Sequence, residues 1–179
     1  MQQGANTIIT IAEDKATKTK QKCLLISSLL LENKVTIDEL VQTAKSQKDV
    51  IKASLLEAME YSSKTNPGLI NDRAFEFAIQ SLTADAPRVK WEAARLISNT
   101  VHLFPRLLKK AVVNLLANTE HSGTVVRWSA ATALSKIIQL DSPLNKELVP
   151  TIETILQWEQ DNAIKKIYRH ALKKSGGGF

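Results

Sequence analysis

The sequence predicts an all-α protein, an array of about five stacked helix pairs, and three observations predict it. An apolar residue followed by a base recurs at Ile51-Lys52, Val89-Lys90, Val126-Arg127 and Ile164-Lys165, at intervals of 38, 37 and 38 residues. The residues that follow repeat too, Val89-Lys-Trp-Glu-Ala-Ala-Arg-Leu-Ile matching Val126-Arg-Trp-Ser-Ala-Ala-Thr-Ala-Leu. Apolar positions recur at helical spacing, and no strand-like alternation lasts more than a few residues. One amphipathic pair cannot bury its own stripe, whereas stacked pairs share a continuous core and form a short curved rod.

Each element has its own signal. Helices are expected at 5–13 and 16–32, where a weak copy of the motif starts at Thr19-Lys20 and runs into Cys23, Leu24 and Ile26. Residues 36–46 and 48–64 form the pair holding Ile51-Lys52. The breaker Asn66-Pro67-Gly68 opens a helix at 67–84, proline suiting a first turn where its missing N–H costs nothing. Ala86-Pro87 opens 87–104, whose stripe is Val89, Ala93, Leu96, Ile97, Thr100 and Phe104. Pro105 opens 105–119. Ser122-Gly123 precedes 123–140, with the stripe Val126, Ala130, Ala133, Leu134, Ile137 and Ile138. Ser142-Pro143 precedes 144–159, and Asp161 opens 161–174. Residues 1–174 thus read as one array, clear over 36–174 and weaker over 1–35, with 175–179 a flexible tail.

Charge is distributed unevenly. The chain has 179 residues, 24 basic and 18 acidic side chains and a net charge of +6. Residues 1–84 are balanced, so the excess lies entirely in the second half. Lys165, Lys166, Arg169, Lys173 and Lys174 face no acid after Asp161. These bases suit the negative end of a helix macrodipole and a solvated terminal repeat; they also attract an acidic partner or nucleic acid. One cysteine, Cys23, makes no internal disulfide and sits in a Leu-rich helix as a core residue. No apolar run approaches the roughly 20 residues of a membrane span, so a cytoplasmic protein without a membrane partner is expected.

The unit from Leu103-Phe-Pro-Arg-Leu-Leu through Val126-Arg127, Ala130-Ala131 and Leu134 resembles the HEAT-repeat family. Its marks are a proline-opened first helix, a polar turn, and a Val-Arg entering an alanine-bearing second helix. The fourth copy departs in carrying Ser122-Gly123 at the turn. The resemblance implies a right-handed α-α superhelix whose second helices line a concave side. It also implies that Lys52, Lys90, Arg127 and Lys165 are structural, pairing with acids of neighbouring repeats. It implies no chemistry, because such a fold hosts many functions.

A helical wheel carries the functional expectation. With Val126 at zero, Trp128, Thr132, Ser135 and Gln139 fall near 180–240°, clear of the apolar stripe. Trp91, Arg95, Ser98 and His102 occupy the same sector when Val89 is zero. Adjacent helices lie about 8–10 Å apart, so both indoles flank one concave surface, with Arg95, His102, Lys166 and Arg169 favouring an acidic peptide. The alternative is that each indole packs against its neighbouring repeat. The Trp-x-x-x-Arg and Trp-x-x-x-Thr spacing resembles the Trp-x-x-x-Asn arrays of armadillo-type peptide carriers, with Arg95 and Thr132 in place of Asn. It is also similar to HEAT-fold alkylpurine DNA glycosylases, but no Asp stands one turn after Trp91 or Trp128.

The expectation is therefore a non-enzymatic module holding a protein or peptide, with nucleic-acid binding as the alternative. Its concave residues are Trp91, Arg95, Ser98, His102, Trp128, Thr132, Ser135 and Gln139. Lys165, Lys166, Arg169 and Lys173 form a basic last helix. His102, His121 and His170 are isolated, no catalytic or nucleotide-binding motif appears, and neither metal nor cofactor is expected.

Overall fold

The computed structural model describes residues 2–140 and 142–175. Ten α-helices follow in chain order: α1 (Gln2–Glu13), α2 (Thr19–Leu31), α3 (Ile37–Ser46), α4 (Asp49–Thr65), α5 (Asp72–Ser81), α6 (Pro87–Thr100), α7 (Leu108–Asn118), α8 (Thr124–Ile138), α9 (Asn145–Trp158) and α10 (Asn162–Lys174). No strand occurs among the described residues. The tail expected at 175–179 lies, beyond Ser175, outside the described residues.

The helices end where local chemistry ends them. Asn33 takes the left-handed conformation after α2 (φ 56°), and the Lys34 N–H donates back to the Leu29 carbonyl at 2.8 Å. This satisfies an orphan carbonyl of the last turn. Thr36 and Glu39 form a reciprocal capping box at the start of α3. The helix expected at 67–84 is split: Pro67–Leu69 form a single 3-10 turn, and α5 begins only after Asn71, whose side chain accepts from the Ala74 N–H. A cap satisfies the first-turn donors better than an early proline does, so Asn71 sets the start. The segments 87–104 and 105–119 likewise carry 3-10 turns at Val101–Leu103 and Pro105–Leu107.

Helices α2, α4, α6, α8 and α10 pack side by side in that order, forming one continuous layer. Helices α1, α3, α5 and α7 form a second layer, joined more loosely along its length but each packed on its pair mate, and α9 leans on α8 and α10. The tighter layer takes the shorter radius, so the second helices line the inside of an α-α superhelix. The N-terminal pair obeys the same rule, α1 packing on α3 and α2 on α4.

Between the layers runs one apolar core, including Ile26, Leu55, Leu56, Phe75, Leu96, Ile97, Leu134, Ile137, Ile152 and Leu172. The small residues Ala93, Ala94, Ala130 and Ala131 are buried where inner helices approach. Phe75 and Phe104 stack with centroids 4.3 Å apart. Cys23 is buried, and that burial, with Glu57 nearby, pushes its thiol up to about 11, so it stays protonated.

Candidate functional site

At two of the four repeat motifs, Lys90 and Arg127, the recurring base ties neighbouring pairs together. Lys90 donates from Nζ to the Leu82 carbonyl and to Asn118 Oδ1 of the following pair, both at 3.1 Å. Arg127 donates to both carboxylate oxygens of Glu159, at 3.0 and 3.4 Å, and to the carbonyls of His121 and Ser122. Glu159 in turn accepts from the N–H groups of Gln160 and Asp161, and Asp161 caps α10. Burial works to raise the Glu159 pKa, but the Arg127 bonds and the backbone donors outweigh it and hold the carboxyl below its usual range. Through this chain of bonds α8 fixes the turn that launches α10. Lys52 pairs instead with Asp49 of its own helix, at 3.4 Å.

On the inner wall between α4 and α6 charge is neutralised internally. Glu60 and Glu92 are buried, 3% and 1% exposed. Arg95 lies between them, donating to Glu60 at 3.1 Å and to Glu92 at 3.3 Å. Lys64 reaches Glu60 at 2.9 Å, Asn99 donates to its carboxylate and carbonyl, and Arg88 pairs with Glu57 at 2.8 Å. Burial pushes the Glu92 carboxyl up to about 7, opposed by Arg95 and reinforced by Glu57 and Glu60. Arg95, expected to face a guest, is therefore committed to the array. The cause is tertiary, since its partner Glu60 lies 35 residues earlier.

At the other end charge is left open. A groove of about 880 Å³ lies between α8 and α10. Trp128, Thr132, Ser135, Lys136 and Gln139 form one wall. The other carries Lys166, Arg169, His170, Lys173 and Lys174. Trp128 is 41% exposed. Among the described residues, none of these five Lys and Arg side chains has an acid within ion-pair distance. The Ser135 hydroxyl is buried without a hydrogen-bond partner.

The structure thus gathers Trp128, Thr132, Ser135, Gln139, Lys166, Arg169 and Lys173 into one groove. Trp91 and Arg95 sit half-buried one rung away, Ser98 is buried and His102 exposed. Ser98 and Ser135 are 8% and 6% exposed, although the wheel put both on the open sector. Neighbouring inner helices close over such short side chains, which a single-helix wheel does not register. Lys165 is half-buried and does not line the groove. Lys136, His170 and Lys174 are additional lining residues. A signal for His170 and Lys174 exists: adding the 38-residue repeat to Trp128, Thr132, Ser135 and Lys136 lands on Lys166, His170, Lys173 and Lys174. Among the described residues no group of His, Cys, Asp and Glu is arranged to hold a metal ion, and no helix is long and apolar enough to cross a membrane.

No protein-family model matches the chain, and no curated protein matches it in sequence. Solved structures do match in shape. A designed armadillo repeat protein in complex with peptide (KR)4 superposes with a TM-score of 0.73 at 16% identity, over 96% of this chain and 74% of that one. A structure of computationally designed armadillo repeat proteins for modular peptide recognition gives 0.73 at 17% identity, over 95% and 74%. An engineered protein gives 0.76 at 16% identity, over 96% and 80%. At such identities the likeness concerns the fold alone: this chain folds as a helical-repeat superhelix of the armadillo type.

Proposed function

We propose that the array is a non-enzymatic binding module that holds an acidic protein segment on its concave face. The guest sits in the α8–α10 groove, with Trp128 as its apolar anchor and Trp91 on α6 and His102 in the 3-10 turn after it continuing the surface. The observation that carries this reading is the set of cations around Trp128 with no protein partner, in a wall whose other cations are mostly paired. These cations are exposed and, among the described residues, unpaired, so the surface attracts and orients a guest of opposite sign. Residues 1–174 act as one unit in this reading, without cofactor. The single buried thiol suits a reducing compartment, and we place the module in the cytoplasm.

The same cations beside an exposed indole favour a second reading, a nucleic-acid strand held by phosphate contacts and stacking. Titration separates the two. Glutamate-rich peptide and oligothymidylate are added to the protein while Trp fluorescence is followed at low and moderate salt. The peptide reading expects saturable peptide binding lost in Trp128→Ala, with helicity unchanged. Tighter oligonucleotide binding with a steep salt slope supports the second reading instead.

A further inference from the structure

Resting on the acidic-segment reading, we infer that the guest is an amphipathic α-helix with an acidic face, not an extended strand. The cations on α10 define the register. Lys166, Arg169, His170 and Lys173 stand at i, i+3, i+4 and i+7, one stripe directly opposite the buried Ile164, Tyr168, Ala171 and Leu172. At about 1.5 Å per residue this stripe places the charges of Lys166, Arg169 and Lys173 at about 0, 4.5 and 10.5 Å along the axis, with the His170 imidazole beside Arg169. A guest helix with acids at i, i+3, i+4 and i+7 repeats those intervals and meets every cation.

An extended chain presents like-facing side chains about every 6.6–6.8 Å, so its third acid overruns Lys173 by about 3 Å. The groove's form agrees. It lies between two adjacent helices of the inner layer, the kind of furrow into which a third helix packs its ridges. Among the described residues the α8 wall, with Trp128, Thr132 and Gln139, carries no acid, and Lys136 adds a cation at its edge. That wall takes the apolar flank of the helix, Trp128 receiving a leucine or aromatic side chain.

The test uses two synthetic peptides of identical composition on the full chain. In one, four glutamates stand at i, i+3, i+4 and i+7 with a leucine on the adjacent flank; in the other they alternate at i, i+2, i+4 and i+6. Calorimetry should give at least tenfold tighter binding for the first, with helical circular dichroism appearing in that peptide on binding. Charge reversal in Lys166→Glu/Arg169→Glu should remove at least tenfold of that affinity, while Lys109→Glu, at an exposed position of α7, should leave it unchanged. Equal or tighter binding of the alternating peptide overturns the helical guest and leaves the acidic-segment reading standing. Binding of neither peptide overturns both.

Discussion

The α4–α6 and α8–α10 stretches of the inner wall are built from the same repeat and end with opposite electrostatics. In the first, Arg88, Arg95 and Lys64 are absorbed by Glu57, Glu60 and Glu92. In the second, Thr132 and His170 occupy the positions equivalent to Arg95, and among the described residues Lys166, Arg169 and Lys173 have no acid within ion-pair distance. A repeat position is therefore not a role. The same column of an array either joins two rungs or receives a guest, depending on whether the neighbouring rung supplies the countercharge.

The comparison breaks most severely at the joint that positions the open groove. Arg127→Ala leaves Glu159 buried without its guanidinium, and a loss of about 3–5 kcal/mol in chemical denaturation is expected. The same change loosens α10 and weakens guest binding. If stability barely moves, Arg127 is not what ties α8 to α10.

A smaller effect sharpens the closed region. The ordinary Glu pKa is 4.5, and the folded-state value for Glu92 is about 7. Between these values the folded chain keeps a proton that the unfolded chain releases, so stability falls as pH rises across that window. Glu92→Gln should flatten this fall and, above pH 7, stabilise the protein by an order of 1–3 kcal/mol. Melting curves at pH 5 and pH 8 measure it, and an unchanged slope in the variant contradicts the assignment.

The smallest effect separates the two tryptophans. Trp128→Ala should change stability by about 1 kcal/mol or less, because the residue is 41% exposed. Trp91→Ala, half-buried on α6, should cost about 1–2 kcal/mol. Equal melting losses would mean that Trp128 packs as firmly as Trp91.

Much of this architecture was legible in the sequence, and its omissions have physical reasons. Repeat period and apolar stripes marked all ten helices, because both arise from local periodicity. The start of α5 was misplaced because Pro67 is a visible breaker while the cap at Asn71 depends on a hydrogen bond to Ala74. Trp128, Thr132 and Gln139 were found by their wheel sector. The wheel points Arg95 toward a guest because its partner Glu60, 35 residues earlier, reaches it only after folding. The pairs Arg95–Glu92 and Lys64–Glu60 lie within single helices, but the links from Arg95 to Glu60 and from Arg88 to Glu57 run between rungs, and no single-helix pattern contains those.

The chain's three tryptophans supply the most direct test of the open groove. Trp128 lies in it, Trp91 one rung away, and Trp158 lines a separate hollow with Leu116, Thr119 and Thr151. Their indole N–H resonances can be followed by proton–nitrogen correlation spectra during titration with the acidic helical peptide. The account predicts that Trp128 shifts most and saturates while Trp158 stays fixed. A saturating shift at Trp158 with Trp128 unmoved would contradict it.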